Sequence, residues 1–322
     1  MAAPFSPSGQ RSLRFGEASV DVLSDFLTNL DNKNKRNLES LSAFCGSFKV
    51  RKVVEHTFLI CEQLELDPLV GYHAIEILDR FMVKHIENLF SIQKSRTSDG
   101  ASCGAKESYE DLIFKNLGDK FRIFLLSSVQ IASKLSLHSK AVDNNSASRY
   151  LQSLGSSCPK ETLLESELLI LKTLDFQLNI PNPLLYVEIL LEVLGEPFLA
   201  VQQTGGCCGH NDPTTPVAQL HHLCKYVLQF IYLQREPIYR SLLVAATGRL
   251  SPSPEQRAKF VSVTEDCMLL GVGVIAVSAF IHQASAWEKV VEELTLISGF
   301  SARSIMDLAH VTLTHITKNR AP

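Results

Sequence analysis

Two segments of this chain decide its fold: Phe124-Leu-Leu-Ser-Ser-Val-Gln-Ile-Ala-Ser-Lys134 and Glu167-Leu-Leu-Ile-Leu-Lys-Thr-Leu-Asp-Phe176. The first is a helical pattern without charge until its final lysine. The second opens with a glutamate and continues with apolar residues at helical spacing. A lone charge at the edge of an apolar helix needs a partner or water, because desolvating it unpaired is costly. A carboxylate on a second helix is one solution for Lys134, and Glu167 offers one.

The composition is that of a globular protein. The chain has 322 residues, of which 45% are hydrophobic and 20% charged, which is sufficient for two domains with sizeable cores. Its 31 basic and 34 acidic residues give a net charge of −3. Proteins dedicated to nucleic acids usually carry a basic excess that neutralises phosphates, so direct nucleic-acid binding is not expected. The longest apolar stretch, Met268 to Ile281, is shorter than the ~20 residues of a membrane span and predicts a buried helix.

Motifs for catalysis, metals or cofactors are not found in the sequence. It has no glycine-rich phosphate loop, no HExxH and no nucleophile elbow, so we predict neither an enzyme nor a cofactor. The eight cysteines form no Cys-x-x-Cys pair, which indicates a reducing compartment, cytosol or nucleus. Two groups of zinc-ligand residue types lie apart from each other, and we predict no zinc site from them: Cys207, Cys208 and His210 in a loop, and His221, His222 and Cys224 on a helix.

Apolar residues at three- and four-residue spacing predict an all-α chain. Residues 1–44 are predicted to be a disordered start followed by a short amphipathic helix. Residues 45–181 are predicted to hold five helices, with a flexible insertion at residues 91–109. The last of these five helices is predicted to run from about Lys160 to Leu178, before Pro181-Asn-Pro183.

The second half, residues 182–322, is predicted to hold five further helices. Ser262-Val-Thr-Glu265 has the form of a capping box and is predicted to begin the third of them. The stretch Ser251-Pro-Ser-Pro254 is predicted to be a loop. The predicted helices lie at residues 183–194, 216–234, 264–283, 286–298 and 301–317.

Three motifs follow one another in the order and at the separations of the cyclin box. Leu78-Asp-Arg-Phe-Met82 is followed by Ile131-Ala-Ser-Lys134, and then by the helix that contains Glu167. Over about residues 20–317 the chain resembles the cyclin family. The resemblance implies an N-terminal helix followed by two five-helix cyclin folds, and a regulator rather than an enzyme.

The resemblance also implies an interface with a cyclin-dependent-type protein kinase. In cyclins, the lysine and glutamate at these positions lie on neighbouring helices and bind the kinase, and apolar neighbours contribute. The implied interface residues are Lys134, Glu167, Leu135, Leu171, Phe176 and Leu178. The implied role of Asp79 and Arg80 is structural, because in the cyclin box this pair ties helices together.

Simpler interpretations of the same residues remain open. Leu171, Phe176 and Leu178 have the spacing of ordinary core residues. Lys134 could extend into water at the C-terminal end of its helix, where the helix dipole favours a cation. The neighbours Asp79 and Arg80 could form a surface charge pair worth about 0.5 kcal/mol.

Four further segments narrow the resemblance to a branch of the cyclin family that regulates meiotic crossovers. They are Asp79–Lys84, Leu163–Leu168, Tyr186–Gly195 and Glu236–Tyr239. This narrower resemblance implies a role in crossover maturation during meiotic recombination. It also implies a location in the nucleus, on meiotic chromosomes, with the cytoplasm as a second location.

Two departures from the family support a second hypothesis. Cyclins that activate kinases typically follow the lysine with an aromatic and two acidic residues, whereas Leu135-Ser-Leu137 follows Lys134 here. The helix that docks substrate peptides usually carries a tryptophan where this chain has Thr57. The alternative is therefore a kinase-independent scaffold that gathers recombination or ubiquitin-pathway proteins.

Overall fold

The chain is built from α-helices. The computed structural model describes residues 15–97, 104–136, 139–156, 158–195 and 216–319. Within those ranges the regular elements are thirteen α-helices and one 3-10 turn, Ala284–Ala286, with no β-strand. The predicted all-α fold is confirmed.

Five helices form one compact unit, which we call the 47–180 unit. Helices α3 and α4 pack against each other, and α2 and α6 pack on both of them. Ile77, Leu78 and Phe81 of α3 and Val129 of α4 are fully buried in the core of this unit. The five helices are α2 (Arg51–Gln63), α3 (Pro68–Thr97), α4 (Gly104–Leu135), α5 (Asn144–Ser153) and α6 (Lys160–Thr173).

The remaining helices form a second compact unit, the C-terminal unit, which contains Ser12–Gly46 and Pro181–Pro322. The N-terminal helix α1 therefore belongs to the same unit as the second half of the chain. The helices of this unit are α1 (Val20–Glu39), α7 (Pro183–Leu194), α8 (Pro216–Leu233), α9 (Arg235–Thr247), α10 (Pro254–Thr264), α11 (Cys267–His282), α12 (Trp287–Ser298) and α13 (Ala302–Lys318).

Helix α11 lies at the centre of the C-terminal unit. Every residue from Cys267 to Ala279 is buried, and α7, α8, α12 and α13 pack around the helix. The predicted buried helix is thus confirmed, although its last residues, Phe280 and Ile281, are exposed. In the described part of the chain no helix alone has the length and hydropathy to cross a membrane. Helices α10 and α11 have that length and hydropathy only when they are taken together, and the angle between them is 71°.

Helix α1 is held to the C-terminal unit by buried polar contacts. The Asn34 side chain donates to Asp266 Oδ1 at 2.8 Å and accepts from the Cys267 amide at 3.1 Å, at the start of α11. Burial raises the pKa of Asp266, while hydrogen bonds from Leu269 and Asn34 oppose this rise. The helix is longer than the short helix predicted, because Asn34 continues the inward face one turn beyond Leu30.

A hydrogen bond from α7 also fastens α1. The buried Tyr186 hydroxyl donates to the Leu30 carbonyl at 3.0 Å. We expect Tyr186→Phe to lower the free energy of unfolding of this unit by about 1 kcal/mol, the usual net value of such a bond. Urea unfolding followed by the fluorescence of Trp287, the single tryptophan, reports on this unit. Tyr226→Phe, which alters an exposed tyrosine, is the matched control, and an equal effect of both variants would contradict the prediction.

The predicted interruption at residues 91–109 is too long. Helix α3 continues to Thr97 and α4 begins at Gly104, so the helical backbone covers much of this segment, and residues 98–103 lie outside the described ranges. The polar composition of Ser91–Thr97 suggested a break, but Gln, Lys and Arg are good helix formers and need no apolar neighbours to extend a helix.

The prediction of five helices for the second half is wrong, because α9 and α10 are additional. Helix α9 contains Pro237 in its first turn, where the missing amide costs nothing. Helix α10 has no buried residue, so no apolar period marks it. It begins at a capping box formed by Ser253 and Gln256, within the stretch predicted to be a loop. The predicted capping box at Ser262 is wrong, since α11 is capped by Asp266 instead.

Candidate functional site

The structure brings Lys134 and Glu167 together. Lys134 is the next-to-last residue of α4, and Glu167 lies in the middle of α6, which packs on α4. Lys134 Nζ lies 2.5 Å from Glu167 Oε1. The glutamate side chain is 8% exposed and the lysine side chain 43%, so Lys134 satisfies the buried carboxylate and remains open to solvent. A partner protein can therefore reach the lysine.

The end of α4 is fixed by hydrogen bonds beside Lys134. The Ser133 hydroxyl donates to the Gln130 carbonyl at 2.8 Å and accepts from the Val142 amide at 2.9 Å. The Gln130 side chain donates to Asn144 at the start of α5 at 2.9 Å. These contacts hold Val142 and the start of α5 against α4, which restricts the position of Lys134.

The predicted apolar interface residues differ in burial. Leu135 is exposed at the end of α4. Leu171 and Leu178 are half-buried and pack against the core of the 47–180 unit. Phe176 as a whole residue is 63% exposed, so the ordinary-core interpretation fails for this residue. Exposed apolar groups beside a half-exposed ion pair are typical of a protein-binding surface.

Two further exposed leucines extend this surface and were not among the predicted residues. Leu164 and Leu168 are exposed on α6, and with Leu171 they follow the spacing of one helix face. In the sequence they resemble core residues, because Leu163 and Ile170, their neighbours along the helix, are fully buried. The two pairs of residues differ in their position relative to Glu167. Leu163 and Ile170 share a helix face with the buried Glu167, whereas Leu164 and Leu168 lie on the neighbouring, exposed face.

Helix α6 ends earlier than predicted. Its last residue is Thr173, not Leu178, because Asp175 and Phe176 have positive φ angles of 50° and 57°. Left-handed backbone in a residue other than glycine costs of order 1–3 kcal/mol. The Phe176 amide donates to the Leu171 carbonyl at 2.8 Å, and Lys84 Nζ of α3 lies 2.5 Å from Asp175 Oδ2.

Acidic residues of α3 hold the segment that precedes α2. The Asp79 carboxylate is buried and accepts from the Phe48 amide at 2.9 Å, which connects α3 to this segment. One turn earlier, Glu76 Oε2 lies 2.6 Å from Lys49 Nζ, and both side chains are buried. The sequence motif indicates Asp79 but not the Lys49–Glu76 pair. Arg80 is half-buried.

The described residues include no group of three or more His, Cys, Asp or Glu side chains placed to hold a metal ion. Cys207, Cys208 and His210 lie outside the described ranges. Cys224 of the other zinc-ligand group is fully buried, and burial raises the pKa of its thiol to about 12.

Two other proteins are similar to the chain over most of its length. Cyclin N-terminal domain-containing protein 1 of Mus musculus is 40% identical over 311 residues, which cover 96% of this chain and 87% of the mouse protein. The protein of the same name from Homo sapiens is 41% identical over 303 residues, covering 94% and 86%. No protein-family model matches the sequence. At this identity and coverage, the chain belongs to the cyclin N-terminal domain-containing protein 1 family.

Proposed function

We propose that the chain is a non-catalytic, cyclin-like regulator that promotes crossover maturation in meiotic recombination by binding a cyclin-dependent-type protein kinase. The contact that carries the proposal is the 2.5 Å ion pair of Lys134 and Glu167, in which the lysine remains half exposed. The exposed Leu135 and Phe176 support it, because they add apolar area around the charged pair.

The bound kinase would be activated by a shift in its conformational equilibrium. A kinase is active when the mobile helix of its upper lobe brings a glutamate to its own catalytic lysine. A partner that binds this state more tightly increases its population. In this mechanism Lys134 and Glu167 orient the kinase, while Leu135, Leu171, Phe176 and Leu178 supply most of the binding energy through apolar contact.

The meiotic part of the proposal rests on sequence resemblance. Asp79–Lys84, Leu163–Leu168, Tyr186–Gly195 and Glu236–Tyr239 match the branch of the cyclin family that regulates crossovers. We accordingly propose a nuclear location on meiotic chromosomes. Immunofluorescence on meiotic chromosome spreads tests this point, and a signal confined to the cytoplasm would contradict it.

A second candidate function is favoured by one specific feature. Ser136 and Leu137 replace the two acidic residues that help kinase-activating cyclins to hold their kinase. Without this charge the chain would serve as a kinase-independent scaffold for recombination or ubiquitin-pathway proteins. Charge reversals at Lys134 and Glu167 would then leave the function intact, whereas lesions in the C-terminal unit would destroy it.

The two candidates are separated by exchanging the charges of the ion pair. We expect the double variant Lys134→Glu, Glu167→Lys to weaken kinase binding at least about tenfold, because the internal pair is kept while the charge offered to the partner is inverted. Binding is measured with the purified full chain and a panel of purified cyclin-dependent-type kinases. Retained binding would contradict the kinase proposal.

The matched control exchanges another ion pair of the same unit. Arg51 and Glu55 lie one helical turn apart on α2, with Arg51 Nε 2.7 Å from Glu55 Oε1, and both side chains are exposed. The double variant Arg51→Glu, Glu55→Arg changes the same number of charges outside the proposed interface. It should bind the kinase like the wild type.

A further inference from the structure

The turn after α6 combines backbone strain with an exposed aromatic ring. Asp175 and Phe176 are consecutive residues other than glycine with φ angles of 50° and 57°. Such strain persists only where the surrounding structure enforces it, and it is concentrated at functional sites. Because Phe176 is 63% exposed, burial of its ring does little to offset the strain in the free chain.

Helix α3 holds this turn at both ends. Lys84 Nζ lies 2.5 Å from Asp175 Oδ2 at the start of the turn, and the His73 ring nitrogen lies 3.3 Å from the Leu178 carbonyl at its end. Lys84 and Asp175 are 91 residues apart in sequence, so their contact is a tertiary one. The ion pair connects the strained turn to a helix whose core face is rigidly packed.

The turn is continuous with the proposed kinase surface. The Phe176 amide donates to the carbonyl of Leu171 at 2.8 Å, and Leu171 lies one helical turn after Glu167. The backbone of Phe176 therefore lies beside Leu171, the last residue of the row formed by Leu164, Leu168 and Leu171. Aromatic side chains that fill a pocket of the partner are the commonest binding hot spots.

From this geometry we infer that Lys84 is a positioning residue of the proposed kinase surface: through its ion pair with Asp175 it holds the strained turn, so that Phe176 is a pre-formed anchor for the partner kinase. This inference rests on the proposed function. The strain and the ion pair fix the ring before binding, so less conformational freedom is lost when the kinase docks. Lys84 does not contact the kinase in this arrangement; it acts through Asp175.

The test compares variants of the full chain in equilibrium binding to whichever purified cyclin-dependent-type kinase of the panel binds the wild type most tightly. Phe176→Ala should weaken binding about tenfold or more, as expected for a hot spot. Lys84→Ala should weaken it about threefold to fivefold, the range expected for loss of an exposed ion pair that pre-orders an anchor. Lys84→Arg should remain within about twofold of the wild type, because it keeps the charge.

Two controls separate positioning from general stability. Lys52→Ala removes an exposed lysine of α2 and should not change the affinity. Raising the salt to about 1 M should abolish the difference between Lys84→Ala and the wild type, because an exposed ion pair is screened there. In the free chain, Lys84→Ala should speed hydrogen exchange at the Phe176 and Gln177 amides and leave the unfolding midpoint unchanged.

Each result decides the inference. If Phe176→Ala weakens binding but Lys84→Ala and Lys84→Arg equal the wild type, the positioning role of Lys84 is overturned. If the charge exchange at Lys134 and Glu167 abolishes binding while Phe176→Ala has no effect, the anchor is overturned and the proposed function stands. If no kinase of the panel binds the wild type, the proposed function fails and the inference fails with it.

Discussion

Replacing Glu76 by alanine is expected to lower the free energy of unfolding of the 47–180 unit by about 3–5 kcal/mol. Lys49 Nζ lies 2.6 Å from Glu76 Oε2, and the two side chains are only 3% and 7% exposed. Removing the carboxylate takes from this buried lysine charge the counter-ion that lies 2.6 Å from it. Each buried charge loses roughly several kcal/mol of hydration on folding. The cost of the substitution is large because the attraction between Lys49 and Glu76 no longer offsets this loss for the lysine.

The measurement has to report on the correct unit. Trp287, the single tryptophan, belongs to the C-terminal unit and does not monitor α2 or α3. Hydrogen exchange of peptides from Arg51–Gln63 and from the first turns of α3, measured on the full chain, gives the free energy of opening around the ion pair. An opening energy for Glu76→Ala within about 1 kcal/mol of the wild type would contradict the prediction, because that is the scale of an exposed pair.

The double variant Lys49→Met, Glu76→Leu is the control. It shows whether the loss of stability in Glu76→Ala comes from the broken ion pair or from the lost side-chain volume. Replacing both members of a buried ion pair by apolar residues of similar volume is often neutral or stabilising. We therefore expect the double variant to be more stable than Glu76→Ala and close to the wild type. If it is as unstable as Glu76→Ala, the loss arises from packing and not from breaking the Lys49–Glu76 ion pair.

Gly273→Val is expected to destabilise the C-terminal unit by about 3 kcal/mol. A Cβ atom at Gly273 would lie 2.4 Å from Leu308 Cδ2 and 3.0 Å from Leu308 Cγ. Leu308 is buried in α13 and cannot move into solvent, so α11 and α13 would have to separate. Overfilling a packed core forces backbone shifts, and the centre of this unit has no exposed edge at which to absorb them.

Urea unfolding followed by Trp287 fluorescence tests this prediction, because the tryptophan begins α12, which packs on α11. Leu308→Ala provides the matched second variant. Alone it should cost about 2–5 kcal/mol through its cavity, but combined with Gly273→Val it should cost less than the sum of the two losses. Additive losses would show that the valine does not clash with Leu308.

Only part of the candidate site could be predicted from the sequence. Lys134 and Glu167 could be predicted as a pair through the resemblance to the cyclin box, whereas the apolar pattern alone shows only that Lys134 needs a partner or water. The turn at Asp175 and Phe176 could not, since no local signal announces two left-handed residues that are not glycine. Leu164 and Leu168 resemble the buried Leu163 until the face of α6 that meets α4 is known.

The number of helices, like the candidate site, could be predicted from the sequence only in part. The pattern predicts the five helices of the 47–180 unit, since each buries an apolar stripe. It misses α10, which buries none of its residues, and α9, which has a proline in its first turn. It also misjudges the length of α1, because the helix is extended by Asn34, whose partners are Asp266 and the Cys267 amide.

Local chemistry was thus sufficient for the all-α class and the buried α11, because apolar periodicity has few physical solutions. The pairing of the charges at the end of α4 was implied by the resemblance to the cyclin box. Contacts between residues far apart in sequence required the packed structure. Lys49 with Glu76 and Lys84 with Asp175 are pairs of ordinary charges in an ordinary composition. The packing of α3 against its neighbours buries the Lys49–Glu76 pair and brings Lys84 to Asp175 in the strained turn after α6. Only the tertiary structure decides these contacts, because burial and helix register are properties of the assembled helices.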